Sequence, residues 1–358
     1  MNRTSQVSSP SDFEVYKMIL ICSSYGALIG LTVVGNLLVI LAFSRDPHIR
    51  EHAANHILLH LSVADFLVGS VSLPFDLVQY LNGHRWIFGK YSCVIWMFID
   101  YTATTLSVAL IVCASFDRYW IVSKSIKYRV FQSRKRVDIM IVSSWLIVLT
   151  LFSVVILGLE LVGGANEQLG ACEANFHSFP TVASLVTIVV GYLPFIVVTA
   201  LNILMYISLW RQAQKFVRVR MRSYTMSTED AAEKRSGRQR LFGFLSHHPK
   251  VTVVKGTSWT TDVERPGVFV QHLNFRRNAR SAKKLSLLVG LFALCWMPYE
   301  FVAAYESFCH DYHVCVSSST WRVVAFLQWA NSALNPIFYA VSNARFRENF
   351  KRFFFLRF

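Results

Sequence analysis

Apolar residues along the chain fall into seven long runs separated by shorter polar segments. Each run holds about 20 residues or more, and a helix of that length crosses a bilayer core of about 30 Å. The pattern predicts an all-α membrane protein, a seven-transmembrane helix bundle. The predicted spans are Met18–Phe43, Ala53–Leu81, Tyr91–Val122, Val137–Leu161, Pro180–Trp210, Ala282–Tyr305 and Thr320–Val341.

The first span differs from a secretory signal. It is longer than the apolar core of a signal, contains Asn36, and lacks a small-residue cleavage site after a short apolar core. We therefore expect it to be retained.

The segments outside the spans divide the chain into three parts. Residues 1–17 form an N-terminal segment, residues 18–341 the bundle with a long third loop at about 211–280, and residues 342–358 a tail. In the tail, Arg or Lys alternates with Phe, which predicts a short amphipathic eighth helix lying on an anionic lipid leaflet. A frayed basic tail is the alternative.

The fraction of charged residues and the distribution of basic residues both support a membrane protein. Only 16% of the residues are charged, against about 25% in soluble domains. The net charge of +15 would suggest a nucleic-acid partner in a soluble protein. Here, however, only five of the 36 Lys and Arg residues lie outside the spans on the amino-terminal side of the membrane, and the other 31 lie at or beyond the opposite ends of the spans. The five are Arg3, Lys17, Arg85, Lys90 and Arg322.

The positive-inside rule therefore predicts a multi-pass plasma-membrane protein with an extracellular N-terminus and no nucleic-acid partner. Asn2 begins the sequon Asn2-Arg3-Thr4, which predicts glycosylation on the outer side.

Ionisable residues within the spans are costly in a bilayer and usually functional. Asp100 lies seven residues after Cys93, about 10 Å below the outer surface, a depth that suits a ligand arriving from outside. Aromatic residues that can surround an ammonium group are available in Tyr101, Trp296, Tyr299 and Trp329. We expect a cationic ligand at Asp100; a structural or protonated carboxyl group is the alternative.

A second polar set lies deeper in the spans. Its oxygen-rich side chains are typical of a site for a small hard cation, and we expect allosteric sodium there and no other cofactor. A hydrated network without an ion is the alternative. The residues are Asp65, Ser107, Asn331, Ser332 and Asn335.

Short motifs stand in a fixed order along the spans: Gly35-Asn36, Leu61-Ser62-Val63-Ala64-Asp65, Trp86-Ile87-Phe88-Gly89 before Cys93, Asp117-Arg118-Tyr119, Trp145, Pro194, Cys295-Trp296-Met297-Pro298-Tyr299 and Asn335-Pro336-Ile337-Phe338-Tyr339. Each motif alone is weak, but their joint order and spacing is specific. Over nearly its whole length the chain resembles the rhodopsin-like G-protein-coupled receptors.

Within that family, Asp100, 18 residues before Arg118, resembles the amine-binding aspartate of the aminergic group. Asp100-Tyr101, Asn202, Gln328 and Trp329 are most similar to the third and fourth histamine receptor subtypes. The resemblance implies a receptor for a histamine-like amine. Its implied ligand contacts are Asp100, Tyr101, Thr104, Thr187, Trp296, Tyr299, Glu300 and Trp329.

The resemblance also implies a route of activation. An agonist would move the sixth span outward, after which Arg118 would release Asp117 and help receive a heterotrimeric G protein. Arrestin, a receptor kinase and membrane lipids are the further partners implied. The residues involved are Asp117, Arg118, Tyr119, Trp296, Pro298, Asn335, Pro336 and Tyr339.

Cysteines at the outer face complete the implied features. A bridge between Cys93 and Cys172 would hold the second outer loop over the bundle, and Cys309 and Cys315 could close a second ring.

Two positions depart from the histamine-receptor pattern: Val190 replaces a fifth-span glutamate, and Phe326 replaces a tryptophan common in aminergic receptors. Glu300 follows Trp296 by four residues and should share its side of the helix. We hypothesise that Glu300 replaces the missing carboxylate and pairs with an imidazole or a second amine. A protonated Glu300 bonded to a neighbouring group is the alternative.

Other functions stay open at this point. The ligand could be another amine, either a trace amine or one like acetylcholine, or the receptor could be ligand-blind and constitutively active. A transporter is disfavoured because the sequence shows no matched halves. An enzyme is disfavoured because we find no metal triad, nucleophile elbow or phosphate loop.

Overall fold

The computed structural model describes residues 12–123, 134–159, 172, 179–215, 218, 266–307 and 315–355. In these ranges the secondary structure is helical. The helices are α1 (Asp12–Arg45), α2 (Pro47–Arg50), α3 (Ala53–Leu81), α4 (Lys90–Ser123), α5 (Arg134–Gly158), α6 (Thr181–Lys215), α7 (Pro266–Ser307), α8 (Ser318–Ser342) and α9 (Ala344–Phe355).

Proline shapes several of these helices. In α3 and α6 the prolines Pro74 and Pro194 follow wide π-helical turns at Val68–Ser72 and Thr187–Tyr192. Because proline has no amide N–H to donate, the helix around it rearranges its hydrogen bonds. In α7 and α8, Pro298 and Pro336 lie inside continuous helices. A third π-helical turn, at Ser153–Gly158 of α5, contains no proline.

Six of the helices, α1 and α3–α7, are long and apolar enough to cross a membrane by length and composition. The helix α8 is more polar because it carries Gln328, Asn331 and Asn335, and the two asparagines are buried against other helices. It packs against α7 and α1. The helices α1, α3, α4 and α5 pack in this order around the bundle, and α7 and α8 close it. The predicted seven-helix bundle is confirmed.

The outer surface of the bundle exposes apolar side chains and the interior contains polar ones, as expected for a protein in lipid. Leu146, Ile147 and Leu294 are 60%, 66% and 72% exposed, whereas Asn36 and Asp65 are completely buried. A lipid environment accommodates exposed leucine and isoleucine, whereas buried polar groups need partners inside the bundle.

The amphipathic eighth helix of the prediction is α9. Phe346 and Asn349 of α9 are buried, whereas Arg345 and Arg347 are exposed. The Phe346 ring lies 6.1 Å from the Tyr339 ring of α8, measured between centroids. The helix therefore turns off the end of α8 with its apolar face towards the bundle.

A polar contact attaches α9 to the start of the chain. Asn349 Nδ2 donates to Asp46 Oδ2 over 2.8 Å, and Arg45 lies over the Phe353 ring, 5.1 Å from its centroid. Asp46 also caps α2 by accepting from the His48 amide at 2.9 Å. Burial alone would raise the pKa of Asp46, but the hydrogen bonds from Asn349 and His48 outweigh it and lower that pKa.

Candidate functional site

A cavity of about 150 Å³ lies between α4, α5, α6, α7 and α8, near the end of the bundle that carries the Cys93–Cys172 disulfide. We call this end the disulfide end. A cavity of about this volume accommodates a benzene-sized ligand. The structure places all eight of the predicted ligand residues around it: Asp100, Tyr101, Thr104, Thr187, Trp296, Tyr299, Glu300 and Trp329.

Asp100 supplies the cavity with an acceptor. Its Oδ1 atom is buried and has no hydrogen-bond partner within the described ranges. One turn further along α4, Thr104 Oγ1 donates to the Asp100 backbone carbonyl at 2.7 Å, which keeps that hydroxyl engaged with the helix. A buried carboxylate oxygen without a donor is costly, and a cationic donor in the cavity would remove the cost.

Aromatic rings form the walls around Asp100. The Tyr101 ring lies 5.5 Å from the Phe152 ring, and the Tyr299 ring lies 5.3 Å edge-on to the Trp321 ring. Trp296 and Trp329 are 4% and 7% exposed. Such walls favour a cation, because the faces of aromatic rings carry partial negative charge.

Glu300 approaches the cavity from α7, packed against α6. It is 4% exposed, and its backbone carbonyl accepts from the Tyr192 hydroxyl at 3.1 Å. A Cβ atom added to Gly191 would lie less than 3.0 Å from the Cδ and both carboxylate oxygens of Glu300. The Glu300 carboxyl group therefore occupies space that only a glycine leaves open on α6.

Val190 and Glu300 both line the cavity. The α6 side of the cavity therefore has a carboxyl group, that of Glu300, although α6 itself has Val190 there. Glu300 lies beside Gly191, on the side of the cavity where the hypothesis expects a carboxylate.

Several other residues line the cavity that were not predicted from the sequence. Trp321 lies eight residues before Trp329 on α8, a spacing that returns to the same face of a helix, so periodicity could have found it. Phe152 lies in an apolar run and carries no such signal. Glu306 also lines the cavity and is 4% exposed.

The second predicted site surrounds Asp65, which is completely buried between α3, α4 and α8. Asp65 Oδ1 accepts from Ser107 Oγ and Ser332 Oγ, both at 2.8 Å, and Oδ2 accepts from Asn335 Nδ2 at 2.7 Å. Asn331, next to Ser332 on α8, is also buried.

The groups around Asp65 that could act as metal ligands fit a monovalent cation better than a transition metal. It combines one carboxylate with neutral hydroxyl and amide groups, and Asn335 Oδ1 has no hydrogen-bond partner in the described part of the chain. Hard oxygen ligands of this kind suit sodium. No cluster of three or more His, Cys, Asp or Glu side chains occurs among the described residues.

The opposite end of α4 carries Asp117, Arg118 and Tyr119. Asp117 is buried, and the other two side chains are partly exposed. Gln212 of α6 donates to the Val122 carbonyl and ties the two helices together there. This end therefore carries a partly exposed basic residue, Arg118 of α4, far from the disulfide end.

The predicted activation residues on α7 and α8 connect the two ends. The Trp296 ring lies 5.6 Å from the Phe292 ring one turn below it. A Cβ atom on Gly35 would lie 3.0 Å from Pro336 Cγ, so α1 and α8 approach closely beside that proline. Tyr339 is 1% exposed, and Pro298 lies inside α7 between Trp296 and the disulfide end.

One of the two predicted disulfides lies wholly within the described residues. Cys93 and Cys172 form the predicted disulfide. Cys315 is also disulfide-bonded, and Cys309, its expected partner, lies outside the described residues, as does the predicted glycosylation site Asn2.

The family profile and the most similar curated proteins that we compared agree on one receptor family. The profile of the family described as 7 transmembrane receptor (rhodopsin family) matches residues 35–339. The chain is 30% identical to the histamine H4 receptor of Homo sapiens, over 91% of this chain and 89% of that receptor.

Two further relatives are similar to the same degree. The chain is 27% identical to the alpha-1A adrenergic receptor of Bos taurus, over 96% of this chain and 69% of the relative. It is 30% identical to the D(1B) dopamine receptor of Xenopus laevis, over 90% and 67%. Identity alone therefore does not separate histamine, adrenergic and dopamine receptors.

Proposed function

The chain belongs to the rhodopsin family of 7 transmembrane receptors, and we propose that within this family it is a receptor for a histamine-like amine that activates heterotrimeric G proteins. The family consists of receptors rather than enzymes, and aminergic receptors are among the relatives of this chain. The observation that carries the ligand proposal is the buried Asp100 oxygen without a donor, inside an aromatic cavity.

The amine is held by charge and by aromatic contact. Its ammonium group pairs with Asp100, and Tyr101, Trp296 and Trp329 surround the remaining faces of that group. A charge-assisted hydrogen bond of this kind is about twice as strong as a neutral one. The cavity volume of about 150 Å³ favours a small amine over a bulky one.

Glu300 supports the choice of a histamine-like ligand. It lines the same cavity as Asp100 from the opposite side, beside α6. An imidazole has a ring N–H to donate to Glu300 while its aliphatic ammonium group pairs with Asp100. A ligand with a single polar end would leave Glu300 without this partner.

The transducer binds at the end opposite the disulfide. Arg118 lies there at the end of α4, next to Asp117, and receives the G protein when α7 moves outward about Trp296 and Pro298. An amine drives this movement only if it binds the active arrangement more tightly than the resting one. Sodium in the Asp65 cluster favours the arrangement in which those helices stay close together, and arrestin, a receptor kinase and lipids are the further partners of this end.

The protein is a multi-pass plasma-membrane protein, and we place the disulfide end outside the cell. The distribution of Lys and Arg along the sequence supports this orientation. It also puts the disulfide in the oxidising compartment, where such bonds persist.

The proposal is tested by a G-protein activation screen with biogenic amines on cells that express the full-length chain. Asp100→Asn should lower the potency of the active amine by about 30-fold or more, since truncating one partner of a buried charge pair costs about 2–5 kcal/mol. Asp138→Asn is the control, because Asp138 lies at the opposite end of the bundle on α5.

Three outcomes contradict parts of the proposal. An amine whose potency is unchanged by Asp100→Asn would exclude Asp100 as its counter-ion. Constitutive signalling without any amine response would favour the ligand-blind receptor. A histamine response that is insensitive to Glu300→Gln would remove Glu300 from the ligand contacts.

A further inference from the structure

A second, larger cavity adjoins the cavity around Asp100 at the disulfide end, and we call it the outer chamber. Its volume is about 550 Å³, and its wall is built from α1, α3, α4, α7 and α8. It shares Asp100 and Tyr101 with the first cavity, and it reaches the surface at His84 and Ser318, which are exposed. The outer chamber is therefore a passage between the solvent and Asp100.

A contact between His84 and Arg322 lies at the mouth of this chamber. Arg322 Nη2 is 3.2 Å from Nε2 of His84, which joins the start of α8 to the loop after α3. The Arg322 guanidinium group also lies over the Tyr80 ring of α3, 3.9 Å from its centroid. The rings of Tyr80 and His84 meet edge to face, with 5.6 Å between their centroids. We call these three side chains the latch, because they connect α3 and its following loop to α8.

The backbone holds His84 in a conformation that favours glycine. Its φ is 64°, and the preceding Gly83 has a φ of 67°. The His84 amide donates to the Gln79 carbonyl at 2.9 Å, so this left-handed pair closes the end of α3. A residue with a Cβ atom is disfavoured in this region, and such strain persists only where the surrounding contacts impose it. The contacts of the latch therefore help to set the position of His84.

The hydrogen bond between His84 and Arg322 exists in one protonation state of the histidine. A guanidinium group only donates, so Nε2 of His84 is the acceptor and carries no proton. Protonation at Nε2 places a donor against a donor and a positive charge against that of Arg322. The latch is therefore complete at neutral pH and is lost as the pH falls through the range in which histidine side chains take up a proton.

The other ionisable groups around the latch change the pH at which it opens and leave the bond itself unchanged. Asp76 of α3 acts electrostatically on both Arg322 and His84, and its carboxylate accepts from the Tyr25 hydroxyl at 2.6 Å. It stabilises the positive charge of either side chain, but it cannot restore the lone pair that protonation removes from Nε2. Further ionisable groups that line the chamber in the described ranges are Asp100 and Tyr101 of α4 and Tyr299 and Glu306 of α7, and Arg85 follows His84 in the loop.

We propose that the latch makes the receptor sensitive to extracellular pH. Protonation of His84 separates the loop after α3 from α8, and the outer chamber widens towards the solvent. An amine then enters and leaves the cavity around Asp100 faster, whereas its affinity changes less, because an entrance affects association and dissociation alike. The opening of the latch does not depend on the ligand; its effect on an amine rests on the proposed function.

Hydrogen exchange of the purified full-length receptor tests the latch without a ligand. Protection is measured for the amides of residues 82–86 between about pH 8 and about pH 5, where histidine changes charge, and is corrected for the pH dependence of intrinsic exchange. We expect the protection to fall by about tenfold or more towards acid pH, because the hydrogen bond that is lost has a charged donor.

Two variants separate the latch from other titrations. In His84→Gln the side-chain oxygen still accepts from Arg322 but takes up no proton, so protection should stay high at acid pH. Arg322→Met keeps the length of the side chain but has no donor, so protection should be low at every pH. His48→Gln is the matched control, since His48 is an exposed histidine at the opposite end of the bundle, and it should retain the wild-type fall.

The second measurement is the kinetics of labelled histamine binding to the same proteins. The ionisation of histamine changes with pH equally for every variant, so rates are compared between the wild type and His84→Gln at each pH. At acid pH the association and dissociation rates of the wild type should both exceed those of His84→Gln by a similar factor of up to about tenfold, the factor by which the bond favours the closed latch. At about pH 8 the two proteins should agree, because the latch is closed in both.

Each contrary result has a distinct meaning. Protection that is independent of pH in the wild type, or that falls equally in His84→Gln, overturns the latch. Loss of protection without any change in the rates of histamine binding overturns its control of the entrance. A receptor that binds no histamine at any pH contradicts the proposed function, while the hydrogen-exchange result still decides whether the latch exists.

Discussion

Substitution of Gly191 by alanine tests the contact between α6 and α7 on which the assignment of Glu300 depends. The added methyl group would lie less than 3.0 Å from the Glu300 carboxyl group, where ordinary contact requires 3.4–4 Å. Either the carboxyl group moves by about 1 Å or more, or the two helices separate.

The magnitude follows from two opposing effects. A Gly→Ala change inside a helix stabilises it by about 1 kcal/mol, whereas overpacking a well-filled site costs about 1–3 kcal/mol. We therefore expect Gly191→Ala to lower the free energy of unfolding by about 0–2 kcal/mol. At Gly290 of α7, where a Cβ atom meets nothing within 4 Å, the same change should be stabilising.

The assay is a double-mutant cycle on the thermal unfolding of the purified protein, with Gly191→Ala measured in the wild-type and in the Glu300→Ala background. Removal of the Glu300 carboxyl group takes away the obstruction, so Gly191→Ala should become stabilising there, with a coupling of about 1–3 kcal/mol. A second readout is ligand affinity: Gly191→Ala should weaken a histamine-like ligand in the wild type and have no further effect on top of Glu300→Gln.

Two results would refute this reasoning. If Gly191→Ala stabilised the wild type as much as Gly290→Ala does, the Glu300 carboxyl group could not occupy the space beside Gly191. If its effect were the same in both backgrounds, any cost would arise from another neighbour.

Three further predictions concern other contacts. Sodium chloride, compared with choline chloride, should raise the unfolding temperature of the wild type, and Asp65→Asn should abolish that difference. Cys172→Ser should lower the stability by about 2–5 kcal/mol through loss of the disulfide, whereas Cys22→Ser, which removes a free thiol, should have little effect. Asn349→Ala should increase hydrogen exchange in α9. Because the pKa of Asp46 is lowered, the stabilisation that its carboxylate gives to α9 should be complete above the ordinary aspartate pKa. This stabilisation should be lost as pH falls through the lowered pKa, and hydrogen exchange in α9 at decreasing pH would measure the loss.

Much of the architecture could be predicted from local patterns. A bilayer imposes the length and polarity of each span, so α1 and α3–α7 were recognisable from runs of apolar residues alone. Asp100 could be singled out because ionisable side chains are rare at that depth. Glu300 could be assigned to the same face as Trp296 because a spacing of four residues returns to one side of a helix.

The sequence by itself therefore determined which segments form the long helices, where most of these helices begin and end to within a few residues, and which side chains share a helical face. The exception is α7, which begins at Pro266, inside the predicted third loop and 16 residues before the predicted span at Ala282. Only the tertiary structure decided which faces meet. Tyr25 hydrogen-bonds to Asp76 across 51 residues of sequence, Asn349 hydrogen-bonds to Asp46 across 303, and Glu306 is buried. The physical reason is that helical periodicity is a local property, whereas the rotation and crossing of helices result from the packing of all their side chains together.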